Sequence, residues 1–275
     1  MKQMLVWGVV FCLWSSFAMA DEQQVQQEQE IVEALQLVGM EAQFNDLHEV
    51  IRRGLNQRRY EGVAPGALSY EALEQLIDQN FEAALLTRQL AKRLLPMHDT
   101  NRFQLLLSSL RSEQIQTIRQ RLEAVMKEEN SSNLHSFSLE YDEQLLDRQR
   151  AHIIDGLDRA SAGNELNAGV QAMATLTLLR MQETQEGVGA QFPEERLLQQ
   201  LYNDYLESGR KANEIVYRSA LGEMSAESLQ LSLRVYRSTV VQWFLGEAVD
   251  NMIPVVTEQR ERLLKAIEGP SAVGS

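Results

Sequence analysis

The chain has 275 residues, with 26 Lys and Arg against 39 Asp and Glu, and a formal charge of −13 at pH 7. That acidic balance argues against a nucleic-acid or anionic-membrane binder, because both need clustered cations to displace counterions. At 44% hydrophobic residues the chain can bury a real core. Its single cysteine, Cys12, rules out an internal disulfide, a CxxC redox centre or a thiolate metal site.

The N-terminal stretch carries the most specific signal. Lys2 gives a positive start, Met4 to Trp14 is an apolar run with one glycine, and Ala18-Met19-Ala20 precedes acidic Asp21. Ala18 and Ala20 put small residues at the two positions a signal peptidase reads, so residues 1–20 are expected to be a cleaved secretory signal peptide. The apolar run falls short of the ~20 residues that span a bilayer. Cys12 follows Val9-Val10-Phe11, which is wrong for a lipoprotein signal. The expected location is periplasmic or secreted, with no integral membrane segment after cleavage. Trp243 would then be the only tryptophan left, since Trp7 and Trp14 leave with the leader.

From there on the periodicity is helical. Leu, Gln, Glu, Arg and Ala dominate, and these are strong helix formers. Ile31 to Val38 predicts a short helix closed by Gly39 in a left-handed cap. Phe44, Leu47, Ile51 and Leu55 mark the next. After the breaker Gly62–Gly66, Ser69 caps a helix whose face is Leu73, Leu76, Ile77, Phe81 and Leu85, ended by Pro96. Asp99 starts another through Leu110, and Ser112 to about Glu129 continues. Asn130-Ser131-Ser132-Asn133 reads as a linker between a first helical half, 21–130, and a second, 134–268. In the second half Leu145, Leu146, Ile153 and Leu157 mark a helix that stops near Gly163. Glu165 to Gln185 is the next, and Phe192-Pro193-Glu194-Glu195 starts a third. Ser225 caps a helix facing inward through Leu229, Leu233, Tyr236, Val240, Phe244 and Ala248. Pro254 should kink or restart it, and 269–275 reads as a disordered tail.

The two halves share a pattern. Asp99–Ser112 aligns without a gap to Ser225–Ser238, matching Gln104 with Gln230, Leu105 with Leu231, Leu107 with Leu233, Arg111 with Arg237 and Ser112 with Ser238. Both segments open on a helix cap and end on Arg-Ser, so an internal duplication is expected.

The same residues, with Leu233-Arg234-Val235-Tyr236-Arg237-Ser238 followed by Trp243-Phe244, resemble a family of secreted, all-helical bacterial proteins known as domain of unknown function 2059. Glu33 to Leu55 resembles that family's first helices. Thr239 and Val240, and in the first segment Glu113 and Gln114, stand where the family has proline and glycine. The resemblance covers about half the chain. It implies an exported helical fold and no known chemistry.

No catalytic constellation emerges. The four histidines, His48, His98, His135 and His152, form no HExxH, and there is no GxSxG, P-loop or GxGxxG. His48 does not share a helix face with Asp46 or Glu49. His152 and Asp155 read as a solvated pair. Asp147, Asp155 and Asp158 could hold a hard cation, but Arg148, Arg150 and Arg159 between them favour a salt-bridged surface. Arg111 and Arg237 suit an anion clamp, although bonding helix-end carbonyls or a nearby acid is the simpler role. Tyr236 and Trp243 mark the core edge or a partner contact. No catalytic, metal or cofactor-binding residue is assigned.

The sequence thus predicts an all-α multi-helix bundle of two similar halves on a shared core. The expected function is a non-catalytic module that binds a protein partner in the cell envelope. The alternatives are a carrier of an apolar ligand between the halves, and an enzyme using carboxylates from distant helices.

Overall fold

A computed structural model describes residues 23–64, 66, 68–126, 147–189 and 192–269. Positions 18–21, the 130–133 linker, Leu145, Leu146 and the 270–275 tail lie outside these. Among the described residues the protein is all α-helix, with no strand. The first half holds α1 (23–37), α2 (Met40–Tyr60), α3 (Tyr70–Phe81), α4 (Ala83–Leu94), a 3₁₀ turn at Leu95–Met97, α5 (Thr100–Leu110) and α6 (Glu113–Met126). The second half holds α7 (Arg148–Ser161), α8 (Gly163–Glu186), α9 (Glu194–Leu221), α10 (Ala226–Tyr236) and α11 (Thr239–Glu268).

The helix starts are set by short polar side chains. The side chains of Ser69, Asp99 and Ser225 each accept from a backbone N–H three residues on, at 3.2, 2.8 and 3.2 Å. Each satisfies a donor that the first helical turn leaves without a partner. Gly39, at φ 84°, links α1 to α2 in the left-handed region where glycine carries no Cβ penalty.

Helix α8 is the centre. Leu166, Val170, Met173, Ala174, Leu176, Thr177 and Met181 are all buried, so it is covered on every side. It packs against α2, α7, α9 and α11. Small residues permit close approach: a Cβ on Gly54 of α2 would meet Leu178 Cδ1 of α8 at 2.3 Å. Helix α11 packs on α3, α4 and α5, while α6 packs on α9 and α10. The halves therefore interleave, and one hydrophobic cluster runs from Ile31 in α1 to Ile267 in α11.

Four local expectations are corrected. The helix capped by Ser225 ends at Tyr236, and Val240, Phe244 and Ala248 belong to the separate helix α11 that starts at Thr239. The helix from Ser69 is broken at Glu82, whose ψ of 127° leaves the helical region. Phe81 and Ala83 are both buried. In one continuous helix, two positions apart would point about 200° apart, so the break lets both face the core. Leu86, fully buried, takes the place expected of Leu85. Pro254 does not restart the chain, since α11 runs through it. The bond its missing N–H forfeits is offset by Met252, Val255 and Val256, buried on either side. Helix α1 begins at 23, well before Ile31.

Candidate functional site

Arg111 and Arg237 occupy the same place in two similar turns. Each is the C-cap of an 11-residue helix, and each backbone N–H returns to a leucine carbonyl, Leu107 at 2.9 Å and Leu233 at 3.0 Å. The next serine N–H follows suit, Ser112 to Ser109 and Ser238 to Val235. The side chains differ. Arg111 forks onto Glu33 of α1, with Nε and Nη2 each 2.7 Å from a carboxylate oxygen. Arg237 is exposed and reaches over Gly156 of α7, where a Cβ would lie 3.4 Å from its Nη2. Glu33 stands six residues before Gly39, and Gly156 six before Ala162; those two left-handed residues open α2 and α8. The two arginines thus lie against different helices and form no joint clamp.

Tyr236 is buried and unavailable to a partner. Burial pushes its hydroxyl up to about 12. Trp243 is half-buried at the contact between the halves. Its ring meets Phe103 of α5 edge-on at 5.9 Å and carries the Arg102 guanidinium 3.6 Å above it. Phe103 in turn stacks on His98 at 4.5 Å. His98 Nε2 lies 2.8 Å from Glu30 of α1.

The three aspartates do not converge. Asp147 caps α7 by accepting from Gln149 N–H. Asp155 pairs with Arg218 of α9 at 3.3 Å rather than with exposed His152. Asp155 is half-buried, and so is Asp158. Asp158 lines a cleft of about 490 Å³ where α7, α8 and α9 meet, with Asp155, Asn164, Glu165, Leu206, Arg210, Tyr217 and Arg218. A cleft of that size can hold a small ligand.

The cleft is held open from below. Tyr217 is buried and its hydroxyl lies 2.7 Å from Ser161 Oγ. Gly163 is required there, because a Cβ would stand 2.5 Å from Tyr217 Oη and 2.9 Å from Asp158 Oδ1. Asn213 donates to Asp158 at 2.5 Å, and Asn164 Nδ2 donates to the Leu206 carbonyl at 3.1 Å. Desolvation, reinforced by the Glu165 charge, pushes the Asp158 carboxyl from 3.8 up to about 6. Two acceptors here have no hydrogen-bond partner: Asn164 Oδ1 and Glu165 Oε2 are both shielded from bulk solvent. Arg218 bridges Asp155 and Glu214 along one wall. Among the described residues no group of three or more His, Cys, Asp or Glu could hold a metal ion.

Asn164, Glu165, Asn213 and Tyr217 of this cleft are not singled out by the sequence. The signal the sequence does carry is Ser161-Ala162-Gly163-Asn164-Glu165, small and polar residues between two helical patterns, which mark a helix junction.

The fold and cleft define an all-α protein with a polar recess lined by acids and arginines. No protein-family model, curated protein or solved structure matches the chain. Among the described residues no helix is long and apolar enough to cross a membrane.

Proposed function

We propose that the protein is an exported, non-catalytic binding module of the cell envelope, and that the cleft between α7, α8 and α9 is its recognition site. The observation that carries this is the pair of buried acceptors, Asn164 Oδ1 and Glu165 Oε2, left without donors in a concave site. Buried polar groups are normally satisfied, and one that is not in a cleft calls for a ligand or ordered water. The signal-like residues 1–20 support export, and the test is the mature mass and location. The exported protein should begin at Asp21 and fractionate with the periplasm or medium; a main species retaining Trp7 and Trp14 would overturn export.

One second reading has a specific observation behind it. Asp158, pushed up to about 6, has the character of a general acid, as the carboxylate-enzyme alternative requires. Turnover of a bound compound that Asp158→Asn abolishes, with binding retained, would favour it. The apolar-carrier alternative draws no support from a recess lined mainly by charged side chains.

We also read the chain as two copies of one five-helix unit, related to domain of unknown function 2059. In support, α1, α2, α3–α4, α5 and α6 match α7, α8, α9, α10 and α11 in order, and both α1–α2 and α7–α8 junctions turn on a left-handed residue. An experimental structure in which one rotation superposes all five pairs would bear this out.

A further inference from the structure

We infer that this cleft takes an organic cation bearing N–H donors, an ammonium or guanidinium group, received by Asp158, Asn164 and Glu165. The inference rests on the cleft being the recognition site and adds the chemistry of what it recognises.

The cleft holds unspent hydrogen-bonding capacity. Asn164 is only 8% exposed, and its Nδ2 is committed to the Leu206 carbonyl. Its Oδ1 is shielded from bulk solvent, 3.3 Å from where a Cβ on Gly209 would stand, and has no donor. Glu165 Oε2 is in the same condition. Asp158 already receives the Asn213 side chain and the Asn164 backbone N–H, and a carboxylate has roughly four acceptor positions. All three groups offer oxygen lone pairs, so the complementary ligand is a donor. Their charge makes it a cation.

The remaining charges narrow the choice. On the neighbouring wall Arg218 is committed to Asp155 and Glu214, at 3.3 and 2.9 Å, and its one positive charge leaves that trio net acidic. Arg159 directs Nε to the Asp155 carbonyl at 3.2 Å. Arg210 is exposed at the rim, where it can meet a carboxylate or carbonyl elsewhere on the same ligand. A bare divalent ion would want about six oxygen ligands. Several N–H groups spread over separated oxygens match this cleft better, and away from bulk water such charge-assisted bonds are strong.

The test is calorimetric titration of the exported full chain with L-argininamide and 1,4-diaminobutane. Tetramethylammonium, which has the charge and no N–H, succinate and magnesium serve as comparators. The expected result is binding of the N–H cations, little or none of tetramethylammonium, and a loss of about tenfold or more in Glu165→Gln, the scale of one hydrogen bond to a charged group. Glu41→Gln, in the first turn of α2, should bind as wild type does. Equal binding of tetramethylammonium, no binding of either N–H cation by folded protein, or an unaffected Glu165→Gln would each overturn the inference. If succinate binds instead and shifts the NMR signals of Asn164 and Tyr217, the cation falls while the cleft stands as the recognition site.

Discussion

Gln116 and Gln242 make the same hydrogen bond in the two halves of the chain. Each Nε2 donates to the carbonyl of the last residue of the short helix before it, Leu110 at 2.9 Å and Tyr236 at 2.7 Å. Gln242 also donates to Ala160 of α7 at 2.7 Å, tying α11 to a third helix. Removing either side chain strips a helix-end carbonyl of its partner. Gln116→Ala should cost about 0.5–1.5 kcal/mol, and Gln242→Ala more, since two carbonyls lose a donor. Urea unfolding of both variants checks the order; a larger loss at Gln116 would contradict it.

Trp243 covers the contact between the halves, with Phe103 edge-on and Arg102 above. Trp243→Ala should cost about 3–5 kcal/mol, the range for a large aromatic removed from a packed site. Arg102→Ala removes only the cation over the ring and should cost about 0.5–1 kcal/mol. In a chain beginning at Asp21 the emission comes from Trp243 alone and should be blue-shifted. Red-shifted emission from the folded protein would contradict the packing.

Ala162 is the one non-glycine residue with positive φ among those described, at 56°. Its counterpart at the α1–α2 junction is Gly39. The Cβ costs roughly 1–2 kcal/mol in this region, partly offset by the extra freedom glycine has when unfolded. Ala162→Gly should therefore stabilise the protein by about 0.5–1 kcal/mol. Thermal unfolding would show this as a raised midpoint; a lowered one would argue that the Ala162 methyl packs usefully.

The Asp158 carboxyl titrates near 6 in the folded protein against 3.8 ordinarily, through desolvation and the charges of Glu165 and Asp155. The folded state therefore binds this proton more tightly than the unfolded state. The sign follows: Asp158 lowers stability progressively as pH rises from about 3.8 to about 6, and by a constant amount above that. Asp158→Asn keeps the shape and an acceptor for Asn213. It should raise the unfolding midpoint at pH 7.5 and leave it nearly unchanged at pH 4. A stabilisation that is the same at both values would contradict the assigned shift.

The helices were legible because their signals are local. Phe44, Leu47, Ile51 and Leu55 recur at helical spacing and are all buried, and Ser69, Asp99 and Ser225 cap where expected. The break at Glu82 was hidden because no proline or glycine marks it. It arises from the shared core that Phe81 and Ala83 must both reach. The cleft was hidden for a similar reason. Asp155 and Asp158 sit among arginines on one helix, which reads as a solvated face. Only the approach of α9, bringing Asn213, Tyr217 and Arg218, draws Asp158 inward and gives Asp155 its partner. Gly163 and Gly209, where a Cβ would crowd Tyr217 and Asn164, allow that approach and carry no pattern in one sequence.

The recognition role of the cleft is tested most directly by capture from the envelope fraction with wild type and with the double variant Asp158→Asn, Glu165→Gln. Both should be confirmed folded by circular dichroism, and the captured proteins, lipids and small molecules quantified by mass spectrometry. A recognition cleft should give at least one species retained by wild type, released by L-argininamide, and absent from the double variant. Identical recovery by both proteins would contradict the cleft as the recognition site.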